Sequence, residues 1–224
     1  MLNPSRSVAS VVLDHSECAE VFSRHRIDYC CRGERSIEVA VRERGLEVEH
    51  VMAELGEAIA ARRERPPSPA ALATPALIEH IVHRHHAYLR RVLPFLRPLA
   101  AKVARVHGDH QPTLREVDAL VAELAETLLD HLDEEEQALF PALAADDGAP
   151  AAAGPWLAAM RDEHLAVAAL LERLRRAAGD YIPPPWACGS FRTLFGELEA
   201  LERDVFTHVH LENHVLGPRF APGT

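Results

Sequence analysis

The sequence predicts an all-α protein, a small helical domain followed by an up-down four-helix bundle. Three observations carry that prediction. Proline and glycine divide the chain into long segments rich in Ala, Leu, Glu and Arg, which favour helix. No segment sustains the apolar–polar alternation of a half-buried strand. One eleven-residue pattern with helical spacing, HxxxExxxLxP, occurs twice, at His131–Pro141 and at His208–Pro218.

Taken in order, the first segment breaks at Cys30-Cys31-Arg32-Gly33, resumes as a helix from about Ser36, and has a C-terminal cap at Gly45. It ends at Arg65-Pro66-Pro67-Ser68-Pro69, a stiff stretch that cannot continue a helix. A domain boundary is placed there, with a small domain over residues 1–65 and the bundle over 70–220. Within the bundle the breaks fall at Gly108 to Pro112, Asp146 to Pro155 and Gly179 to Gly189. They leave four helices of roughly 25 to 35 residues, and short connections make neighbours antiparallel.

Composition bounds the function. The 224 residues are 48% hydrophobic and 26% charged, which suits a packed core. A formal net charge of -10, with no basic cluster, argues against nucleic acid as a partner. No apolar run approaches the roughly 20 residues that span a bilayer, so the expectation is a cytoplasmic protein with no membrane partner. Four cysteines, two of them adjacent, do not form a disulfide framework in a chain of this size, and thiol chemistry is the better reading. Cys18 and Cys188 are expected to be inert and buried. Fourteen histidines are the conspicuous excess.

A His and a Glu four apart share one helix face, one turn from each other, so His131 with Glu135 and His208 with Glu212 can each serve one metal site. His86 precedes the first copy by 45 residues and His164 precedes the second by 44, as an internal duplication would arrange them. In an antiparallel pair, residues equidistant from the turn lie at one height. The midpoint of 86 and 131 falls between Gly108 and Asp109, that of 131 and 164 between Asp147 and Gly148, and that of 164 and 208 at Trp186; all three are predicted turns. One histidine from each helix therefore reaches a common level, with Glu135 and Glu212 beside it.

Four imidazoles and two carboxylates exceed what one tetrahedral zinc takes and suit two metals, with the glutamates bridging and room for an oxo or hydroxo bridge. Iron is the natural candidate, and ligand type leaves manganese and zinc open. For any single His or Glu a solvated helix position is an ordinary explanation; the repeat and the three matching turns argue for the set. His80, His83 and His85 compete with His86, which the midpoint favours. His210 and His214 point away from the His208 face and are assigned to the surface or to a supporting position. His15, His25, His50, His107 and His110 are read as solvated.

This pattern resembles the hemerythrin-like four-helix di-iron domain. Asp28-Tyr29-Cys30-Cys31-Arg32-Gly33, ahead of a proline linker, is similar to the double-cysteine domain of the iron-sulfur cluster repair di-iron proteins, the repair of iron centres family. Further matches are Glu135-Glu136-Gln137-Ala138-Leu139-Phe140-Pro141, Glu163-His164 and Leu211-Glu212-Asn213. Two departures are Gly217, where the first copy has Phe140, and Arg32, where a glycine is expected after the cysteines.

The resemblance implies His86, His131, Glu135, His164, His208 and Glu212 as ligands of two iron ions. It implies repair of iron-sulfur clusters damaged by nitrosative or oxidative stress, by iron donation to damaged iron-sulfur proteins or a cluster scaffold. The alternative is a di-iron protein that binds, senses or reduces nitric oxide or dioxygen, and it leaves a nitric oxide reductase activity open. Cys30 and Cys31 are assigned redox chemistry or iron handoff, with Arg32 and Arg35 expected to favour thiolate. Glu163 is an acceptor behind a ligand or a proton carrier. A homodimer through the N-terminal domain is compatible with the sequence, though no residue argues for it.

Overall fold

The computed structural model describes residues 2–62, 68–145 and 153–220, and these are helical throughout apart from turns and one isolated bridge between Ser7 and Ser36. Most of the proposed linker, residues 65–67, and the start of the second bundle break, residues 146–152, lie outside the described residues. The chain divides into two compact units. One comprises Met1–Leu77 with Phe206–Arg219, the other Ile78–Val205 with Phe220–Thr224.

In the first unit, α1 (Val8–Asp14), α2 (Cys18–Arg24), α3 (Ile37–Glu43) and α4 (Val48–Ala61) surround a core that includes Val11, Phe22, Ile27, Tyr29, Ile37, Val51 and Leu55. Ser7 and Ser36 cap α1 and α3, their hydroxyls accepting from the backbone N–H of Ser10 and Val39. Gly45, at φ +70°, closes α3 as its sequence position predicts. Between α2 and α3 the Cys30–Cys31 loop folds back on α1. The N–H groups of Val8 and Ala9, which a helix start leaves unsatisfied, donate to the carbonyls of Arg35 at 2.9 Å and Gly33 at 2.8 Å. This approach requires glycine, because a Cβ at Gly33 would sit 2.3 Å from the Tyr29 carbonyl oxygen and 2.7 Å from the Ala9 Cβ.

The second unit is built on long helices. The first bundle helix runs as α5 (Thr74–Ile81) and α6 (Ala87–His107), the second as α7 (Thr113–Glu134) and α8 (Phe140–Ala145). The third is α9 (Ala153–Ala177) and the fourth α10 (Gly189–Leu211). The unit boundary falls within α10, whose backbone is helical throughout. α7 packs along both α6 and α9. Leu89, Leu93, Leu96, Leu114, Val117, Val121, Leu124 and Leu128 recur every three or four residues and are buried, as an apolar helix stripe requires. Near the Gly179–Gly189 turn, Arg175 Nε donates to both carboxylate oxygens of the buried Glu202, at 2.9 and 3.1 Å.

One feature was not foreseen. The first, second and fourth bundle helices each widen into a single π-turn, at Val82–His86, Glu135–Leu139 and Glu212–Leu216. In each, the N–H of the residue after the turn donates to the carbonyl five residues back: Ala87 to Val82, Phe140 to Glu135, Gly217 to Glu212. The two copies of the sequence pattern thus begin their π-turns at the same glutamate. Single π-turns inside α-helices concentrate at functional sites.

Gly33→Ala should destabilise the first unit by about 1–3 kcal/mol, because a methyl group is forced into backbone that has no room for it. A lowered thermal midpoint checks this; a melting curve unchanged from the parent protein would refute the tight approach of the loop to α1.

Candidate metal centre

Helix geometry delivers the polar residues of the interior. His86, His131, Glu135, His164, His208 and Glu212 are all buried, at no more than 5% exposure. In the second unit, His86 Nε2 lies 3.5 Å from Glu135 Oε2, and His131 Nε2 lies 3.4 Å from Glu135 Oε1. The Nε2 atoms of His131 and His164 approach to 3.2 Å. In the fourth helix, one turn of rise sets His208 Nε2 2.7 Å from Glu212 Oε1.

Ligand-type atoms of His86, Glu135, His208 and Glu212 all fall within 4.8 Å of one another, and so do those of His131, Glu135, His164 and Glu212. The two groups share both glutamates. All six residues singled out in the sequence therefore come together, two histidines to each group. His85, the nearest competitor, is buried too, but its Nδ1 pairs with Asp204 at 3.0 Å. Both residues lie in the π-turn at Val82–His86 and both are buried. His83 is exposed and His80 is half-buried.

The imidazoles are oriented from behind. His86 Nδ1 donates to Glu136 at 2.9 Å, and Arg90 Nη2 also reaches Glu136 at 3.1 Å and Asp133 at 2.6 Å. Burial alone would raise the Glu136 carboxyl, but the hydrogen bonds from His86 and Arg90 hold it below its ordinary value, so it stays an acceptor. His131 Nδ1 donates to Glu163 at 2.6 Å. With the Nδ1 proton engaged, each ring turns the Nε2 lone pair toward Glu135, as a metal-binding imidazole requires. Glu163 thus stands behind His131.

The donor set fits a pair of cations. Two carboxylates in an apolar interior are costly to bury as anions, and positive charge between them offsets that cost. Two cations, one at each group, would leave none of the six side chains without a role. The 3.2 Å spacing of the His131 and His164 nitrogens is close to that of neighbouring ligands held at roughly 2.1 Å from one ion.

A third group, Asp28, Cys30 and Cys31, lies in the first unit, its ligand-type atoms likewise within 4.8 Å of one another. The expectation that arginines favour a thiolate here fails. Arg32 is exposed, and Arg35 turns to the Arg32 carbonyl and the Glu43 carboxylate. Asp28 Oδ1 occupies the position instead, accepting from the N–H of Cys30 and Cys31 at 3.0 and 2.8 Å and lying 3.3 Å from Cys30 Sγ. Burial, then the hydrogen bond to Cys31 and the Asp28 charge, push the Cys30 thiol well above the usual thiol range.

His210 and His214 also differ from expectation. His210 is buried and its Nδ1 donates to the Tyr29 carbonyl at 3.1 Å; His214 is half-buried and its Nε2 donates to the Cys30 carbonyl at 2.7 Å. A carbonyl only accepts, which fixes the proton on that nitrogen in each ring. The helix position that turns them from the His208 face turns them onto this loop. Cys188 is a further correction: it is exposed, and His107 Nε2 lies 3.2 Å from its Sγ. Cys18 is buried as expected. His25 is held by Glu54 at 3.1 Å rather than solvated.

Residues 77–220 match the model of the hemerythrin HHE cation binding domain, and residues 4–59 match ScdA_N, a domain described as of unknown function. The chain is 32% identical to the iron-sulfur cluster repair protein ScdA of Staphylococcus haemolyticus over 223 residues, covering 99% of this chain and 100% of that protein. It is 33% identical to the iron-sulfur cluster repair protein YtfE of Escherichia coli O157:H7 and 32% identical to that of Shigella boydii. Each of these alignments runs over 216 residues, 96% of both chains.

Two measurements follow from this geometry. Glu136→Ala and Glu163→Ala should each weaken metal binding about 10- to 100-fold by freeing a ligand imidazole to rotate. Competition with a chelator reads the change, and parental affinity in both variants would show that the carboxylates do not orient the rings. In native protein, Cys188 should react first with a thiol reagent. Cys18, pushed up to about 12 by burial and then Glu17, should label only on unfolding. Rapid labelling of Cys18 would contradict its burial.

Proposed function

The chain belongs to the iron-sulfur cluster repair family that joins a ScdA_N domain to a hemerythrin-like cation-binding domain, and from that premise we propose that it holds two iron ions and donates iron to clusters damaged by nitrosative or oxidative stress. The observation that carries this reading is the pair of buried His/Glu groups that share Glu135 and Glu212. His86, His131, His164, His208, Glu135 and Glu212 are the residues that would hold the two ions, the two glutamates being common to both groups. Bound there, the pair supplies iron in a form that can be handed on.

The residues of the chain account for retention and release. Imidazole and carboxylate hold iron less tightly than thiolates hold softer metals, so an iron-poor thiolate scaffold competes effectively for it. Glu136 and Glu163 keep the ligand imidazoles aimed inward, and the apolar stripe around them limits water. The damaged iron-sulfur proteins, or a scaffold rich in thiolates, are the partners that accept the metal. Cys30 and Cys31 serve redox chemistry or the handoff. Free thiols of this kind suit the reducing cytoplasm, and no helix among the described residues is long and apolar enough to cross a membrane.

A second reading, binding or reduction of nitric oxide or dioxygen, is favoured by a specific feature. A recess of about 40 Å³ beside His131 and Glu135 is walled by Leu139, Trp156, Met160 and Glu163. It has room for a diatomic molecule next to the ligand set.

Protein purified from iron-replete cells should contain about two irons per chain, with the near-ultraviolet absorption of a coupled ferric pair. Zero or one iron, or full zinc with no iron uptake, would overturn the assignment. Mixed with an enzyme whose cluster has been damaged, the iron-loaded protein should restore activity, and Glu135→Ala should not. Gas binding without any restoration would move the function to the second reading.

A further inference from the structure

The fourth helix is fastened to the double-cysteine loop at one peptide group. The Cys30 carbonyl accepts from Asn213 Nδ2 at 3.1 Å and from His214 Nε2 at 2.7 Å, and the neighbouring Tyr29 carbonyl accepts from His210 Nδ1 at 3.1 Å. All three donors flank Glu212, and two of them lie in its π-turn. Asn213 and His210 are 4% and 3% exposed, so water does not readily replace these bonds. The Cys30 carbonyl also belongs to the peptide that joins Cys30 to Cys31, whose sulfurs are 3.4 Å apart.

We propose that Cys30 and Cys31 are an oxidation site for peroxides, closing to a vicinal disulfide that releases the Glu212 turn from the double-cysteine loop. The chemistry balances with hydrogen peroxide as oxidant. The half-buried Cys31 sulfur attacks the peroxide, its S–H is replaced by S–OH, and one water leaves. The Cys30 sulfur, losing its proton toward Asp28 Oδ1 at 3.3 Å, then displaces hydroxide from Cys31. That hydroxide takes the proton as a second water, and the S–S bond forms. Two thiols lose two electrons and the peroxide gains them. A thiol reductant reverses the step.

Ring closure is what couples the chemistry to the helix. The sulfurs must approach from 3.4 Å to about 2.05 Å. Adjacent Cα atoms sit only about 3.8 Å apart, short of the roughly 4.4–6.8 Å usual for disulfides, so the intervening peptide must turn to accommodate the bridge. That peptide carries the carbonyl held by Asn213 and His214. Turning it breaks both bonds, one of them from the buried Asn213 amide, a cost the π-turn sheds by loosening. The coupling to metal retention rests on Glu212 being a ligand; the coupling to the helix does not.

The test uses the full chain with Cys188→Ser, which removes the exposed thiol. Metal-free protein treated with hydrogen peroxide should lose 2 Da and two thiols, with peptide mapping to Cys30–Cys31. Amide exchange across residues 206–219 should rise about tenfold and return on addition of dithiothreitol. Cys30→Ser with Cys31→Ser should show neither change. Asn213→Ala with His214→Ala should exchange fast without oxidant, while His214→Gln, which keeps a donor, should stay close to the parent. In iron-loaded protein the same oxidation should speed iron loss to a chelator. Sulfinic acid in place of the disulfide, or a disulfide with unchanged exchange, would overturn the proposal. Failure to bind iron, with the exchange response intact, would instead strike only the di-iron reading.

Discussion

Two carboxylates and four imidazoles buried among leucines are the constraint around which the rest of the molecule is arranged. Glu135 and Glu212 are at most 2% exposed, and an anion there is tolerable only against compensating positive charge. Neutral histidines orient toward such a charge but do not supply it. The arrangement therefore reads as a built cation site rather than as core packing. Its supports follow from that need: Glu136 and Glu163 anchor the imidazoles, and Arg90 in turn anchors Glu136.

The π-turns belong to the same economy. In the widened turn His85 and His86 both face inward, one on Asp204 and the other on Glu136 and Glu135. The same device recurs at the two glutamates of the duplicated pattern. Only the third helix, carrying His164, stays a plain α-helix over its described length.

The double-cysteine loop is as much an acceptor surface as a thiol site. Its compactness depends on Gly33 lying against α1, and that compactness presents the Tyr29 and Cys30 carbonyls to His210, Asn213 and His214. The Cys30 thiol is turned inward onto Asp28, while Cys31 is half-buried. Tyr29 adds an edge-on ring contact to Phe206, with centroids 5.9 Å apart.

How much of this was legible in the sequence depended on the range of the interactions. The helical segments, the Ser36 start, the Gly45 stop and the turns at Gly108 and Gly179 follow from local propensity and capping, which a few residues determine. The pairing of His131 with Glu135 and of His208 with Glu212 follows from helix pitch alone, and equal distances from the turns predicted which histidines would meet. The π-turns, the burial of His210 and the exposure of Cys188 were decided only by tertiary structure. Each depends on which backbone or side chain, often more than 100 positions away, fills the neighbouring space. His210 and Tyr29 are 181 residues apart. Helix periodicity states which way a side chain leaves its own helix, but whether it meets water, a carbonyl or another sulfur is set by packing between distant segments.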